Sequence, residues 1–185
     1  SLMKKESKNK VIPFFRGQSA ANITKIANTF RFKRGGRLND VSIAYETWGE
    51  INPSKSNVIV IFTGLSASSH VTSSSFDSSA GWWESMVGSG KAIDSDKYFV
   101  LCINTLGSCF GSTSPVSINS NTDQPYRLSF PELTVEDMAS ASHMLLEKLG
   151  IDIINILIGP SLGGMQALAY SIMFNKDVRN AILIS

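Results

Sequence analysis

The sequence is poor in cysteine, histidine and charge, and it has no long apolar run. Its 185 residues include two cysteines, two histidines and 17% charged side chains, with a formal net charge of +2. Two cysteines cannot form a disulfide framework, and two histidines argue against a histidine-rich zinc site. No segment approaches the roughly 20 apolar residues of a membrane span. We therefore expect no metal, no membrane and no nucleic acid as partners, and a cytoplasmic location.

The remaining composition is that of a globular protein. Hydrophobic residues make up 43% of the chain, enough to bury one sizeable core. We expect residues 1–12 to be a flexible tail and residues 13–185 to form part of a single domain. Ser1 and Leu2, which precede Met3, are interpreted as an expression scar. Cys102 lies in an apolar run and is expected to be buried and inert, whereas Cys109 lies in a glycine- and serine-rich loop.

Short apolar runs alternate with helical patterns in the second half of the chain. Residues 27–32 and 41–48 are predicted to be antiparallel strands joined by a turn at 34–37. Residues 57–62, 97–103, 153–158 and 181–184 are predicted to be strands buried on both faces, as in a parallel sheet. Helices are predicted from Thr134 to a stop at Gly150, and from Leu162 onward. This alternation predicts an α/β fold whose mostly parallel sheet carries an N-terminal antiparallel hairpin.

The motif Gly159-Pro160-Ser161-Leu162-Gly163 follows a predicted strand directly and precedes a predicted helix. A G-x-S-x-G motif in that context is typical of a nucleophile at a strained turn. We therefore predict that Ser161 is a catalytic nucleophile. The alternative is a glycine-rich turn whose serine merely caps the helix. The N–H groups of Leu162 and Leu65 are the predicted oxyanion donors, because Leu65 lies in the loop after an earlier strand; the alternative for Leu65 is an ordinary turn.

Two irregular segments, residues 63–90 and 104–131, begin where predicted strands end. Ligands bind beyond the carboxyl ends of strands in open α/β sheets, so both segments are candidate binding loops. We expect Trp82 and Trp83 to pack in the interior, with a pocket-lining role as the alternative. We expect His70 to order its loop, with substrate contact as the alternative. No catalytic role is expected for His143.

A set of motifs in consistent order resembles the homoserine O-acyltransferases, which are α/β-hydrolase-fold enzymes. The matching segments are Gly36-Arg37-Leu38, Ile43-Ala44-Tyr45-Glu46-Thr47-Trp48-Gly49-Glu50-Ile51-Asn52, Ser68-Ser69-His70-Val71, Gly81-Trp82-Trp83-Glu84, Gly88-Ser89-Gly90-Lys91-Ala92-Ile93-Asp94, Asn104-Thr105-Leu106-Gly107-Ser108-Cys109-Phe110-Gly111-Ser112-Thr113-Ser114-Pro115 and Gly163-Gly164-Met165-Gln166-Ala167-Leu168. Members of the family usually have Gly-Gly-Ser-Met-Gly-Gly at residues 159–164 and His-Ala-Leu-Thr-Gly at residues 63–67. This chain has Gly-Pro-Ser-Leu-Gly-Gly and Thr-Gly-Leu-Ser-Ala at these two places. Both differences keep the backbone N–H groups that would bind an oxyanion and change the side chains around them.

The resemblance implies transfer of an acetyl group from acetyl-CoA to L-homoserine, a step of methionine biosynthesis, through an acyl-serine intermediate. It implies no metal and no bound cofactor, with acetyl-CoA or succinyl-CoA as co-substrate and a small amino acid as acceptor. Family members are often homodimers. Serine as the acceptor, succinyl-CoA as the donor, an esterase activity on the same fold and a non-catalytic binding module remain alternatives.

The sequence does not supply a complete catalytic triad. In this fold the order along the chain is Ser, then Asp or Glu, then His. After Ser161 the chain contains one acidic residue, Asp177, and no histidine. We therefore expect the Asp, the His, the C-terminal strands and the lid of the fold to lie outside this chain, and we expect the 185 residues alone to be inactive.

Overall fold

The computed structural model describes residues 22–184; the tail predicted at residues 1–12 lies outside this range. Within it, ten strands and two α-helices follow one another along the chain. The strands are β1 (Asn22–Arg31), β2 (Arg37–Trp48), β3 (Val58–Phe62), β4 (Val87–Gly88), β5 (Ile93–Asp94), β6 (Phe99–Ile103), β7 (Ile118–Asn119), β8 (Gln124–Pro125), β9 (Ile154–Pro160) and β10 (Val178–Ile184). The helices are α1 (Val135–Leu149) and α2 (Leu162–Met173).

Six strands form one twisted sheet in the order β1-β2-β6-β3-β9-β10. β1 pairs with β2, and β2 with β6, in antiparallel fashion. The other three pairs are parallel. The predicted α/β fold, a mostly parallel sheet with an N-terminal antiparallel hairpin, is therefore confirmed. The strands β4 and β5 form a two-residue ladder at the C-terminal end of segment 63–90, with β5 just beyond it, and β7 and β8 form a second ladder inside segment 104–131.

The central strand β3 contributes to two separate cores. All five of its residues are buried. Because successive side chains of a strand point to opposite faces, Val58, Val60 and Phe62 pack with residues of α1 and α2 on one face. Ile59 and Ile61 pack on the other face, against a cluster that includes residues of segment 63–90. That segment is therefore a structural layer of the fold as well as a candidate binding loop.

The helix boundaries agree with the sequence signals. Thr134 caps α1: its hydroxyl accepts from the Asp137 N–H at 3.1 Å, and the Asp137 carboxylate accepts from the Thr134 N–H at 3.0 Å. Gly150 ends the helix with φ +73°, a conformation that favours glycine. Among residues 22–184, neither helix has the length and apolar character needed to cross a membrane.

The predicted strand limits are wrong at β10 and at the hairpin. β10 begins at Val178 instead of residue 181, and six of its seven residues are exposed instead of buried on both faces, because the sheet ends at β10 within the described residues. β1 begins at Asn22 instead of residue 27, and β2 begins at Arg37, which the sequence had placed in the turn. Arg37 pairs with Arg31 across the hairpin. This ladder extends along a half-exposed edge where polar side chains such as Thr24 and Lys25 are tolerated, so the backbone pairing continues beyond the apolar pattern.

Candidate active site

The carboxyl ends of the three neighbouring parallel strands β3, β6 and β9 lie side by side at one end of the sheet. Phe62 at the end of β3 pairs with Ile103 at the end of β6, and Ile61 pairs with Ile158 of β9. The segments that follow these strands therefore start side by side. They carry Leu65, the loop from residue 104 and Ser161. This is the place where open α/β sheets bind ligands, and it brings together the nucleophile and the oxyanion loop predicted from sequence.

Ser161 lies between the last residue of β9 and the first residue of α2, in a strained backbone conformation. Its φ is +53° and its ψ is −125°, a region that residues with a side chain rarely adopt and that costs roughly 1–3 kcal/mol. The residue is exposed, and its side chain makes no capping hydrogen bond to the helix. The interpretation of Ser161 as a simple helix cap is therefore wrong. A strained, exposed serine at a strand-to-helix turn is the geometry of a nucleophile.

The two glycines of the motif are required by close backbone contacts around this turn. A Cβ atom on Gly159 would lie within 3.0 Å of the Gly163 carbonyl group. A Cβ atom on Gly163 would collide with the carbonyl oxygen of Phe62 at the end of β3. Both collisions involve backbone atoms, which cannot rotate away as a flexible side chain can. The glycines therefore allow α2 to start directly against the sheet, with Ser161 at its tip.

The two predicted oxyanion donors lie on segments that approach each other closely. α2 begins at Leu162, so the N–H of Leu162 is among the first four of the helix, which have no partner within it. On the other side, a Cβ atom on Gly64 would lie 3.2 Å from the Cβ of Leu162. Leu65 follows Gly64 in the turn closed by the Ala67 N–H and the Gly64 carbonyl. The use of the Leu65 and Leu162 N–H groups by an oxyanion stays a prediction.

Gln166 is a site residue that sequence reasoning missed. Its side-chain nitrogen donates to the carbonyl oxygen of Thr63 at 2.6 Å and lies 2.9 Å from the hydroxyl of Thr105. The Thr105 hydroxyl donates to the same Thr63 carbonyl at 2.8 Å. All three residues are buried. The sequence offers one signal for such a role: Gln166 is a polar residue four positions after Leu162, on the side of α2 that faces the sheet.

A pocket of about 190 Å³ opens beside Ser161. Its walls are formed by residues of the β3 loop, by Trp82 and by residues 160–162. The expectation that Trp82 packs in the interior is wrong, since the residue is 40% exposed and lines this pocket. Its indole stacks on Trp83 with ring centroids 5.6 Å apart, and its N–H donates to the Ser68 carbonyl at 2.9 Å. Trp83 is partly buried and packs against the cluster that contains Ile59 and Ile61. The expectation of interior packing is therefore met in part for Trp83.

The loop that carries Trp82 is fixed by the carboxylate of Glu84. This group accepts from the N–H and the hydroxyl of Ser73 and from the N–H of Gly81, the latter at 2.7 Å. These hydrogen bonds, that of the Ser73 hydroxyl first, lower the pKa of Glu84 to about 2. Glu84 is therefore ionised at neutral pH and serves as an acceptor that closes the loop against Ser73.

His70 orders the same segment. Its Nδ1 lies 2.9 Å from Oε2 of the buried Glu46 on β2, and its Nε2 lies 2.7 Å from the carbonyl oxygen of Ser79. Burial lowers the pKa of His70, but the hydrogen bonds to Glu46 and Ser79 and the charges of Glu46 and Asp77 together raise it above its usual value. Both ring nitrogens are occupied, so the loop-ordering role expected for His70 agrees with the structure.

His143 is engaged at the opposite end of α2. Its Nδ1 lies 2.9 Å from Glu147 and its Nε2 lies 3.3 Å from Asp177, and the ring stacks on Phe174. Asp177 follows the C-terminal end of α2, whereas Ser161 precedes its start. Twelve helical residues span about 18 Å. The ring nitrogens of both histidines are thus engaged by groups other than Ser161.

The free cysteines take no part in this site. Cys102 on β6 is fully buried, and burial raises the pKa of its thiol well above the usual value. This matches the expectation of an inert thiol. Cys109 is exposed in the loop after β6.

Comparison with known proteins places this geometry in a family. The model of the alpha/beta hydrolase fold matches residues 57–185. A serine O-succinyltransferase from Litchfieldella anticariensis is 51% identical over 166 residues, which cover 90% of this chain and 45% of that protein. A homoserine O-acetyltransferase structure from Bacillus anthracis superposes with a TM-score of 0.80 at 32% identity, covering 90% of this chain and 46% of its own. The structure of esterase E22 superposes with a TM-score of 0.77 at 34% identity, covering 85% and 45%.

The chain thus spans less than half the length of these relatives. The resemblance to the homoserine and serine O-acyltransferases that the sequence motifs indicated is confirmed by the relatives that match. The strand order, the strained serine at the start of α2 and the match to the family model agree with one another. The chain belongs to the alpha/beta hydrolase fold family.

Proposed function

We propose that the protein containing this chain transfers an acyl group from a CoA thioester to the hydroxyl of a small amino acid, with Ser161 as the acyl carrier. The observation that carries the proposal is the strained, exposed Ser161 at the tip of α2, facing the loop with Gly64 and Leu65. This arrangement supports nucleophilic attack on a carbonyl next to two backbone N–H groups. It needs no metal and no bound organic cofactor.

The reaction proceeds in two steps. The Ser161 Oγ loses its proton to a base and bonds to the thioester carbon, while the carbonyl oxygen becomes an oxyanion held by the Leu162 and Leu65 N–H groups. The C–S bond breaks, CoA leaves as the thiol with the proton from the base, and an acyl-serine ester remains. The acceptor hydroxyl then gives its proton to the same base and bonds to the ester carbon. The bond from that carbon to Ser161 Oγ breaks, the base returns the proton to Oγ, and the acylated amino acid leaves.

The base and its orienting carboxylate are proposed to come from residues outside this chain. His70 bonds Glu46 and the Ser79 carbonyl, and His143 bonds Glu147 and Asp177. In this fold the histidine and the acid follow the nucleophile along the chain. Without a base, Ser161 stays a neutral and weak nucleophile.

Succinyl-CoA and serine are the first substrate pair to test. The sequence motifs alone put acetyl-CoA and homoserine first, whereas the relative at 51% identity is named a serine O-succinyltransferase. A homoserine O-acetyltransferase is 32% identical. The higher identity favours the serine and succinyl pair, and the assignment to methionine biosynthesis belongs only to the homoserine pair.

Hydrolysis is the second candidate, and the likeness to esterase E22 at 34% identity favours it. The same acyl-serine would then be attacked by water instead of an amino-acid hydroxyl. The fold and the nucleophile are common to both reactions, so the acceptor alone separates them.

Thiol release measured on the full-length protein separates these candidates. Acetyl-CoA and succinyl-CoA are each combined with serine, with homoserine and with no acceptor, and Ser161→Ala serves as the blank. Release that depends on the acceptor and disappears in Ser161→Ala supports the transferase. Equal release with and without an acceptor would instead establish a hydrolase. Release that persists in Ser161→Ala would contradict both.

A further inference from the structure

We propose that Gln166 is a positioning residue that sets the oxyanion loop against the nucleophile. This inference rests on the proposed function, because it concerns the geometry of the same acyl-transfer site. It adds a role for a side chain that touches neither Ser161 nor the substrate. The observations that carry it are three hydrogen bonds, the burial of the residues that make them and the position of Gln166 on α2.

The carbonyl oxygen of Thr63 is held from two sides. Gln166 Nε2 on α2 donates to it at 2.6 Å, and the Thr105 hydroxyl, from the loop after β6, donates to it at 2.8 Å. Gln166 Nε2 also lies 2.9 Å from the Thr105 hydroxyl, so the three groups form a closed triangle. Gln166 is 2% exposed, and Thr63 and Thr105 are 1% exposed. Water therefore does not compete for the Thr63 carbonyl.

Fixing this carbonyl fixes the start of the oxyanion loop. The peptide group is planar and trans, so a held Thr63 carbonyl orients the N–H of Gly64 on the opposite side of the same plane. Leu65, whose N–H is the predicted second oxyanion donor, is the next residue. Gly64 at this point contacts Leu162, where a Cβ atom on the glycine would lie 3.2 Å from the leucine Cβ. A rotation of the Thr63–Gly64 peptide would carry Leu65 away from Leu162.

One helix thereby controls both donors. Leu162 and Gln166 are four residues apart, about one helical turn, and share a side of α2. The backbone of Leu162 supplies one N–H, and the side chain of Gln166 holds the loop that supplies the other. The distance between the two donors is then fixed by α2 itself rather than by a flexible loop.

The amide is held through its donor side. Gln166 Oε1 is buried and has no hydrogen-bond partner within the part of the chain that the structure describes. An interior glutamine that served the fold alone is expected to satisfy both ends of its amide. The side chain of Gln166 is thus held in the interior by the hydrogen bonds of its amide nitrogen to Thr63 and Thr105. No network of hydrogen bonds within the described residues satisfies both ends of the amide.

The test uses three variants of the full-length protein. Gln166→Met removes the donor at similar side-chain length. Gln166→Glu keeps the shape, and its carboxyl donates to the Thr63 carbonyl when protonated and repels it when ionised. Ser171→Ala is the matched control, because the Ser171 hydroxyl bonds the Ala167 carbonyl on the same helix at 2.7 Å, away from the oxyanion loop. The acylation burst, kcat, KM for acyl-CoA and Tm are measured for each.

Gln166→Met is expected to slow acylation by roughly 10-fold or more, as a misplaced catalytic group does, while KM for acyl-CoA stays within about twofold. Gln166→Glu is expected to lose rate relative to wild type at high pH and to regain it as the pH falls. Ser171→Ala is expected to acylate at the wild-type rate. If Gln166→Met does not fold, Thr105→Val removes the other donor to Thr63 and is expected to slow acylation as well.

Two failures are distinguishable. No acyl adduct on Ser161 in the wild-type protein would overturn the proposed function itself. A normal wild-type burst, with Gln166→Met acylating at the same rate or losing only Tm, would overturn this inference and leave the proposed function intact. A pH-independent deficit in Gln166→Glu would likewise contradict the role of the donated hydrogen bond.

Discussion

Gly163 of α2 lies against the carbonyl group of Phe62 so closely that a single added Cβ atom would collide with its oxygen. This contact joins the first turn of the nucleophile helix to the end of the central strand. The next two residues after Phe62 lead into the oxyanion loop, and Ser161 lies two residues before Gly163. This backbone contact therefore holds the start of α2, with Ser161, close to the loop that carries Leu65, the second predicted oxyanion donor.

Gly163→Ala is expected to destabilise the protein by about 2 kcal/mol or more, because the new methyl group overpacks a backbone contact, and to abolish acylation. Gly90→Ala is the control. Gly90 has φ +70° and nothing within 4 Å of an added Cβ, so its cost is the left-handed conformation alone, about 1 kcal/mol, with activity retained. Urea unfolding and the acylation burst measure both. Equal effects of the two substitutions on stability and on acylation would show that the close approach of Gly163 to Phe62 is required for neither.

Leu65 is expected to act through its backbone N–H. Leu65→Ala keeps that group and is expected to change kcat little. Leu65→Pro deletes it and is expected to lower kcat by about 100-fold or more. Circular dichroism checks that the proline variant still folds. Equally small effects of the two substitutions would assign the second oxyanion donor to another residue.

The protein is expected to lose stability as the pH rises through the titration of His70. The pKa of His70 is raised above its ordinary value of 6.5, so the folded state holds this proton more tightly than the unfolded state. The contribution is fully present below pH 6.5 and is lost as the pH passes the raised value. A histidine resonance that titrates above 6.5 and disappears in His70→Gln is the expected NMR result. Titration at or below 6.5 would contradict the ion pair with Glu46.

The parallel strands β3, β6 and β9 could be predicted because each is a short apolar run, whereas the exposure of β10 could not, since its apolar residues look the same in the sequence as those of a buried strand. Residues of β3 are apolar without interruption, and the signals at Thr134 and Gly150 mark both ends of α1. The hairpin was predicted too short. Its strands are stabilised by backbone pairing between Asn22 and Tyr45 and onward, and polar side chains at an exposed edge leave no apolar pattern to recognise.

The strand-to-helix turn that carries Ser161 could be predicted from its context, but the contacts around that turn could not. The strand, the glycines and the helix around Ser161 are adjacent in sequence. The bond from Gln166 to Thr63 joins residues 103 positions apart, and the exposure of Trp82 depends on how segment 63–90 folds back over the sheet. The sequence around Gln166 shows only that a polar side chain lies on the sheet-facing side of α2, and its partner is defined only once α2 packs against the end of β3.

The role of Ser161 as the acyl carrier is tested by identifying the residue that becomes acylated. The full-length protein is mixed with succinyl-CoA or acetyl-CoA without acceptor, quenched in acid, digested and analysed by mass spectrometry. One acyl group is expected on the peptide containing Ser161 and none in Ser161→Ala, whose fold is expected to stay intact because the side chain makes no capping bond. An acyl group on any other serine, or an unchanged adduct in Ser161→Ala, would show that Ser161 is not the acyl carrier.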